Sequence, residues 1–239
     1  PDATVYPNAP GGNPLVPELA GFPFPADFYL VKDATTRTGR AMALPPSVLP
    51  CNTDPKIFST VDGFSRIPIL LTYFAAGVDP ASLPSPDDPA ATVAASSPVF
   101  LVEEGTWKKI PILVENDIST DKLDQRSLLI RPLRLLAANK GHVVILRDKL
   151  RDRSGQALAP NAAFLALRDN VPTSMPEIEK QREDFKLVQA AIAGLGLTPQ
   201  EVVQAWSFHT RSEEGVQRPL LSMQAQAASP QQPKVHAIQ

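Results

Sequence analysis

The run Ile67-Pro-Ile-Leu-Leu-Thr-Tyr-Phe74 is short, β-branched and aromatic, and turn-forming residues bound it on both sides. A run of this length and composition reads as a strand, because branched and aromatic side chains fit a pleated surface and eight residues are too few for a stable helix. Val99 to Val102 and Ile110 to Val114 follow in the same manner, after a stretch rich in Pro, Asp, Ser and Ala. Further along, Leu128 to Leu133, the loop Leu-Ala-Ala-Asn-Lys-Gly and His142 to Arg147 read as a hairpin, with Asn139 or Gly141 supplying the positive φ of its turn. Asp152-Arg-Ser-Gly155 is another turn. Val203 to Thr210 then alternates, with Trp206 and Phe208 on one face and Ser207 and His209 on the other, the pattern of a half-buried strand with His209 toward solvent.

One strong helix interrupts these strands, at about 175–195. Ser174 and Glu177 form an S-x-x-E capping signal, Ile178, Phe185, Val188, Ile192 and Leu195 recur at helical spacing, and Gly194 or Gly196 closes the element. Thr198-Pro-Gln-Glu201 repeats the capping device but leads only into a short turn. Helices do not alternate with strands, which disfavours a parallel α/β sheet. The expected fold is mainly β: an Ig-like β-sandwich with an inserted helix and a Pro-rich extended N-terminal arm. Its parts are the arm at 1–55, packing on the core, the sandwich at 56–211, and a C-terminal helix and linker tail at 212–239.

The arm reading rests on composition. The chain has 26 Pro and 12 Gly in 239 residues, and Pro7, Pro10, Pro14, Pro17, Pro23, Pro25, Pro45, Pro46, Pro50 and Pro55 crowd the first segment. Proline lacks the N–H that a ladder needs, so this segment reads as an ordered wrap with little regular structure. Hydrophobic residues at 43% and charged residues at 20% are ample for a packed core. Lys and Arg total 23 against 25 Asp and Glu, a net charge of -2 that argues against nucleic-acid binding and against a polybasic membrane footprint. No apolar run is long enough to cross a bilayer, and the single Cys51 permits no internal disulfide. The chain starts at Pro1 without Met, as a processed export precursor or an expression fragment would.

Catalytic patterns are mostly missing. The nearest approach to a G-x-S-x-G elbow is Gly63-Phe-Ser-Arg-Ile67, where a bulky Ile stands in place of the second Gly, so Ser65 reads as a local turn residue rather than a nucleophile. His142, His209 and His236 stand far apart, in no metal-binding spacing, and read as solvated or locally bonded. Asp87-Asp88 and Glu103-Glu104 lack the spaced oxygen series that calcium requires. Gly194-Leu-Gly196 ends a helix instead of opening one, so it is not a dinucleotide fingerprint. Arg147 to Arg153 interleaves cations with Asp148 and Asp152, as a solvated turn does. Trp107, Phe164, Trp206 and Phe208 read as core. The sequence therefore assigns no catalytic, cofactor-binding or metal-ligating residue.

Five segments carry a resemblance. Gly21-Phe-Pro-Phe-Pro-Ala-Asp-Phe-Tyr29 followed by Asp62-Gly-Phe-Ser65 resembles the opening of the N-terminal domain of bacterial virulence-factor lipases and related cell-surface esterases. Leu129-Ile-Arg-Pro-Leu133, Leu150-Arg-Asp-Arg-Ser-Gly155 and Trp206-Ser-Phe-His-Thr210 resemble bacterial Ig-like domains. In that family the Ig-like region is usually followed by an α/β-hydrolase domain that carries the triad, and this chain holds no such elbow. The resemblance thus implies a non-catalytic, secreted or cell-surface accessory module whose partner is a hydrolase domain or a neighbouring protein chain. A stand-alone structural or adhesive surface protein, self-associating through its N-terminal arm, is the alternative. An autonomous hydrolase using Ser65 with His142 or His209 is the third.

Overall fold

The computed structural model describes residues 11–19, 21–49 and 53–228, apart from the side chain of Leu123. Cys51, Pro7, Pro10, Pro50, His236 and the tail from 229 lie outside the described residues. Eight strands are described: β1 (Leu30–Lys32), β2 (Arg40–Met42), β3 (Leu70–Tyr73), β4 (Val99–Glu103), β5 (Ile112–Asn116), β6 (Ser127–Pro132), β7 (Gly141–Arg147) and β8 (Val202–His209). Four α-helices accompany them: α1 (Ala162–Arg168), α2 (Pro176–Glu179), α3 (Arg182–Gly194) and α4 (Glu213–Ala227). At 29% helix and 22% strand, the fold is a mixture of helices and antiparallel sheets, where the sequence predicts a mainly β chain. Much of the excess lies in α1 and in short 3-10 turns, which no long apolar period announces.

Two three-stranded antiparallel sheets, in the orders β3-β6-β5 and β4-β7-β8, form the centre, and β1-β2 makes a small hairpin beside them. Strands read as apolar runs deliver the innermost residues: Leu70, Leu101, Ile112, Leu128, Ile130 and Ile145 are all buried. They belong to one hydrophobic cluster that also takes Phe164 from α1, Ile178 from α2, Val188 from α3 and Trp206 from β8. Thr72 Oγ1 of β3 donates to Gln204 Oε1 of β8 at 2.6 Å, joining the two sheets inside the core.

The hairpin expected over 128–147 does not form. β6 pairs with β3 and β5, whereas β7 pairs with β4 and β8, so the chain between them changes sheets. Asn139 does take a positive φ of 49°, but in a crossover and not in a two-strand turn. The single helix expected at 175–195 is split into α2 and α3 at Lys180 and Gln181. Its capping box at Ser174 and Glu177 is absent; Glu179 Oε1 instead accepts from the Thr173 N–H and hydroxyl, both at 2.8 Å. The far end follows expectation. Gly196, at φ +67°, donates to Ala193 O while Leu197 donates to Ile192 O, the paired bonds of a Schellman motif.

Residues 22–30 lie against β3 and β8. Phe24 exchanges backbone hydrogen bonds with Leu71, Trp206 Nε1 donates to Pro25 O at 2.9 Å, and Tyr29 is buried in the core. Gln204 Nε2 and Asn161 Nδ2 both donate to Leu15 O, fastening the segment before it to β8 and to the cap of α1.

Candidate functional site

Among the buried polar residues, the densest group is built on Asp27, in the short 3-10 turn Asp27–Tyr29, and on the face of β8 that carries Ser207 and His209. The i, i+2 spacing on a strand puts these last two side chains on one face, side by side. Ser207 Oγ donates to Asp27 Oδ2 at 2.5 Å. His209 Nδ1 lies 2.9 and 3.0 Å from the two Asp27 oxygens, and since an ionised carboxylate only accepts, Nδ1 is the protonated nitrogen. This face is not solvated, contrary to the sequence reading, because the Asp27 turn and α3 cover it. Alternation gives a strand two faces but does not say what lies over the second.

Burial pushes the Asp27 carboxyl up, yet the His209 bond and charge, the Ser207 bond and the Arg40 charge outweigh it and hold the group below the usual carboxylate range. Asp184, on α3, goes the other way. Burial and the neighbouring Asp27 charge raise it, opposed by the Arg40 guanidinium, whose Nη1 sits 3.1 Å from Asp184 Oδ1. A cavity of about 20 Å³ lies between these groups and Gln181, room for a single water. On the far side of the imidazole, a Cβ on Gly141 would come within 3.0 Å of His209 Nε2 and 2.7 Å of Glu104 Oε2, so a larger residue there would have to displace the Glu104 carboxylate that accepts from Gly141 N.

Ser, His and Asp are all present here, but the wiring is not that of a nucleophile. A triad routes the serine proton to the imidazole and the imidazole to the carboxylate. Here serine and histidine both spend their protons on the same buried carboxylate. The arrangement fixes the Asp27 turn to β8.

The residues weighed in the sequence fall elsewhere. Ser65 is exposed, and its Oγ accepts from Ile67 N at 3.1 Å, a local turn contact. His142 is not solvated: it is fully buried, stacked on Phe208 with ring centroids 5.3 Å apart, and held through Nδ1 by Lys140 O at 3.0 Å. Its Nε2 has no hydrogen-bond partner. Asp88 caps a 3-10 turn by accepting from Ala91 N, and Glu104 accepts from Gly141 N. Arg147 departs from its reading as part of a solvated turn. It is buried, donating to Ala95 O, Ser97 O and Glu201 Oε1. Phe164, Trp206 and Phe208 are core, and Trp107 is partly buried against it. Among the described residues no group of three or more His, Cys, Asp or Glu is placed to hold a metal ion, and no helix is long and apolar enough to cross a membrane.

Compared with protein-family models and with curated proteins, the chain matches neither any family model nor any curated sequence. Asp27 was legible only as an acid set among aromatics, Phe22 to Tyr29. That setting is the signal for a buried, partnered carboxylate.

Proposed function

We propose that this chain is a non-catalytic, extracytoplasmic accessory module with an Ig-like sandwich, serving a lipase- or esterase-type surface protein through contacts with a partner domain or a substrate surface. The observation that carries the non-catalytic part is the wiring of Ser207 and His209 onto one buried carboxylate, which leaves neither hydroxyl nor imidazole poised for attack. Two three-stranded antiparallel sheets on one core, with the consecutive strands β6 and β7 in different sheets, support the sandwich reading. The segment Asp62-Gly-Phe-Ser65 supports a scaffolding role. Phe64 N donates to His209 O and Phe64 O accepts from Arg211 N, both at 2.9 Å, so the segment splints the end of β8.

The test is an assay of the purified chain on short-chain p-nitrophenyl esters, together with the sequence of the gene's full reading frame. The expected outcome is no hydrolysis above buffer, and a G-x-S-x-G segment in the same frame or in a neighbouring one. Turnover that vanishes in Ser207→Ala or Ser65→Ala would overturn the reading.

A further inference from the structure

A cavity of about 190 Å³ opens between the segment at 15–18, the end of β3, the loop before α1 and the start of β8. Leu15, Leu158 and Val203 on its wall are buried in the core and Phe74 packs against that core, so the inner wall is apolar. Ala76 and Ala159, at the rim, are exposed and too small to close the mouth.

The polar side chains on the wall are spent, with one exception. Gln204 Oε1 accepts from Thr72 Oγ1, and its Nε2 donates to Leu15 O. Asn161 Oδ1 accepts from Phe164 N, and its Nδ2 donates to the same Leu15 carbonyl. The Tyr73 hydroxyl donates to Asp124 O at 2.5 Å. That leaves Glu18, whose carboxylate has no hydrogen-bond or ion-pair partner among the described residues. Its charge is felt along the wall: burial pushes the Tyr73 phenol up, and the Glu18 and Asp124 charges push it further. Among the described residues no Lys, Arg or His lines the cavity.

An apolar slot with aromatic side chains and one unspent anion selects a cation carried on an apolar stem. A neutral alkyl chain would leave the carboxylate unused, and an alkyl carboxylate would meet it as a like charge. Size narrows the choice further. The cavity is smaller than the roughly 300–1,000 Å³ of sites for cofactors and drug-sized molecules, so it fits a single short chain. We propose that this cavity binds a primary alkylammonium group, its stem against Leu15, Leu158 and Val203 and its charge on the Glu18 carboxylate. A lysine side chain of a partner protein, with its four-carbon stem, and a free alkylamine share this chemistry. The proposal goes beyond the accessory-module reading and does not depend on it, because neither ester hydrolysis nor the reading frame bears on this cavity.

The test titrates the full 239-residue chain, labelled with ¹⁵N, with n-pentylammonium chloride and with Nα-acetyl-lysine N-methylamide, followed by amide shifts. Saturable shifts at Ala75, Ala76, Val203 and Gln204, with a dissociation constant in the millimolar range, are expected for so small a ligand. Saturation by both probes assigns the site to a lysine side chain, and saturation by n-pentylammonium alone assigns it to a free amine. If neither saturates, or if shifts spread over exposed acids elsewhere, the proposal is overturned. Glu18→Gln should weaken binding about tenfold, the loss of one charge-assisted bond. Ala76→Phe, which fills the mouth and leaves the charge, should abolish it. Both positions are exposed. Undiminished binding in either variant overturns the proposal, as does binding of n-pentanol or hexanoate as tight as that of n-pentylammonium. Nuclear Overhauser contacts from the probe's methylenes to the Leu158 and Val203 methyl groups give a reading that needs no variant, and their absence at saturation also overturns it.

Discussion

The indole Nε1 of Trp206 donates to the carbonyl of Pro25 at 2.9 Å, across a separation of 181 residues. The bond ties the last strand of the core to a segment that prolines keep from making a full ladder of its own. With Leu15 and Tyr29 buried and Phe24 packed against the core, the segment is part of the hydrophobic cluster. Each such side chain contributes roughly 1.5–3 kcal/mol by area, so their joint loss rivals the roughly 5–15 kcal/mol that stabilises a whole domain. Deleting residues 1–29 should therefore unfold the chain, or lower its melting temperature steeply, at every protein concentration. A truncated chain that melts where the full chain does would disprove this.

Asp27→Ala should destabilise by about 3 kcal/mol at neutral pH, since it strands a buried hydroxyl and an imidazole that both bonded to the carboxylate. Ser207→Ala should lose less, about 1.5 kcal/mol, because it removes one bond to a charge and leaves His209 on Asp27. Urea melts of the two variants give the comparison; equal losses would mean that the carboxylate is not the hub of the group.

Gly63 takes φ +148°, and a Cβ there would lie 2.7 Å from the Arg211 backbone N. Backbone cannot yield as a flexible side chain does, so Gly63→Ala should destabilise by about 3 kcal/mol or more. Asp62 next to it holds the Ser212 cap of α4, and Asp62→Ala should loosen that helix while sparing the core. Amide exchange along α4 should then rise with little change in β7. Unchanged exchange in α4 would refute the capping role.

What the sequence made legible, and what it hid, follows from the range of the forces involved. β3, β4 and β5 were readable because a short branched and aromatic run names its own state locally. The Thr198–Glu201 box was readable for the same reason, and Glu201 Oε2 does accept from Thr198 N at 2.8 Å. The misread hairpin at 128–147 had correct strands, but which sheet a strand joins depends on neighbours far away in sequence. α1 was missed although Asn161 caps it by accepting from Phe164 N, with Ala163, Phe164, Ala166 and Leu167 buried at helical spacing. The site residues failed for a stronger reason. Ser207 and His209 look like the wet side of a strand until Asp27, 180 positions earlier than Ser207, is laid over them.

His142 carries the clearest pH dependence. Burial pushes its imidazole down to about 4 from its ordinary value of 6.5. The unfolded chain therefore binds this proton more readily than the folded one. Between the two values the unfolded state holds more protons, so stability rises with pH across that window. Above pH 6.5 the contribution is complete, and it is lost as the pH falls toward 4. The shift corresponds to roughly 3 kcal/mol at most. His142→Leu keeps a buried apolar body on Phe208 and removes both the titrating group and the unpaired Nε2, at the expense of the Nδ1 bond to Lys140 O. Unfolding free energies of wild type and variant, measured at pH 7 and pH 5, should show the wild type losing more on acidification. A variant that loses as much as the wild type would place the acid sensitivity elsewhere.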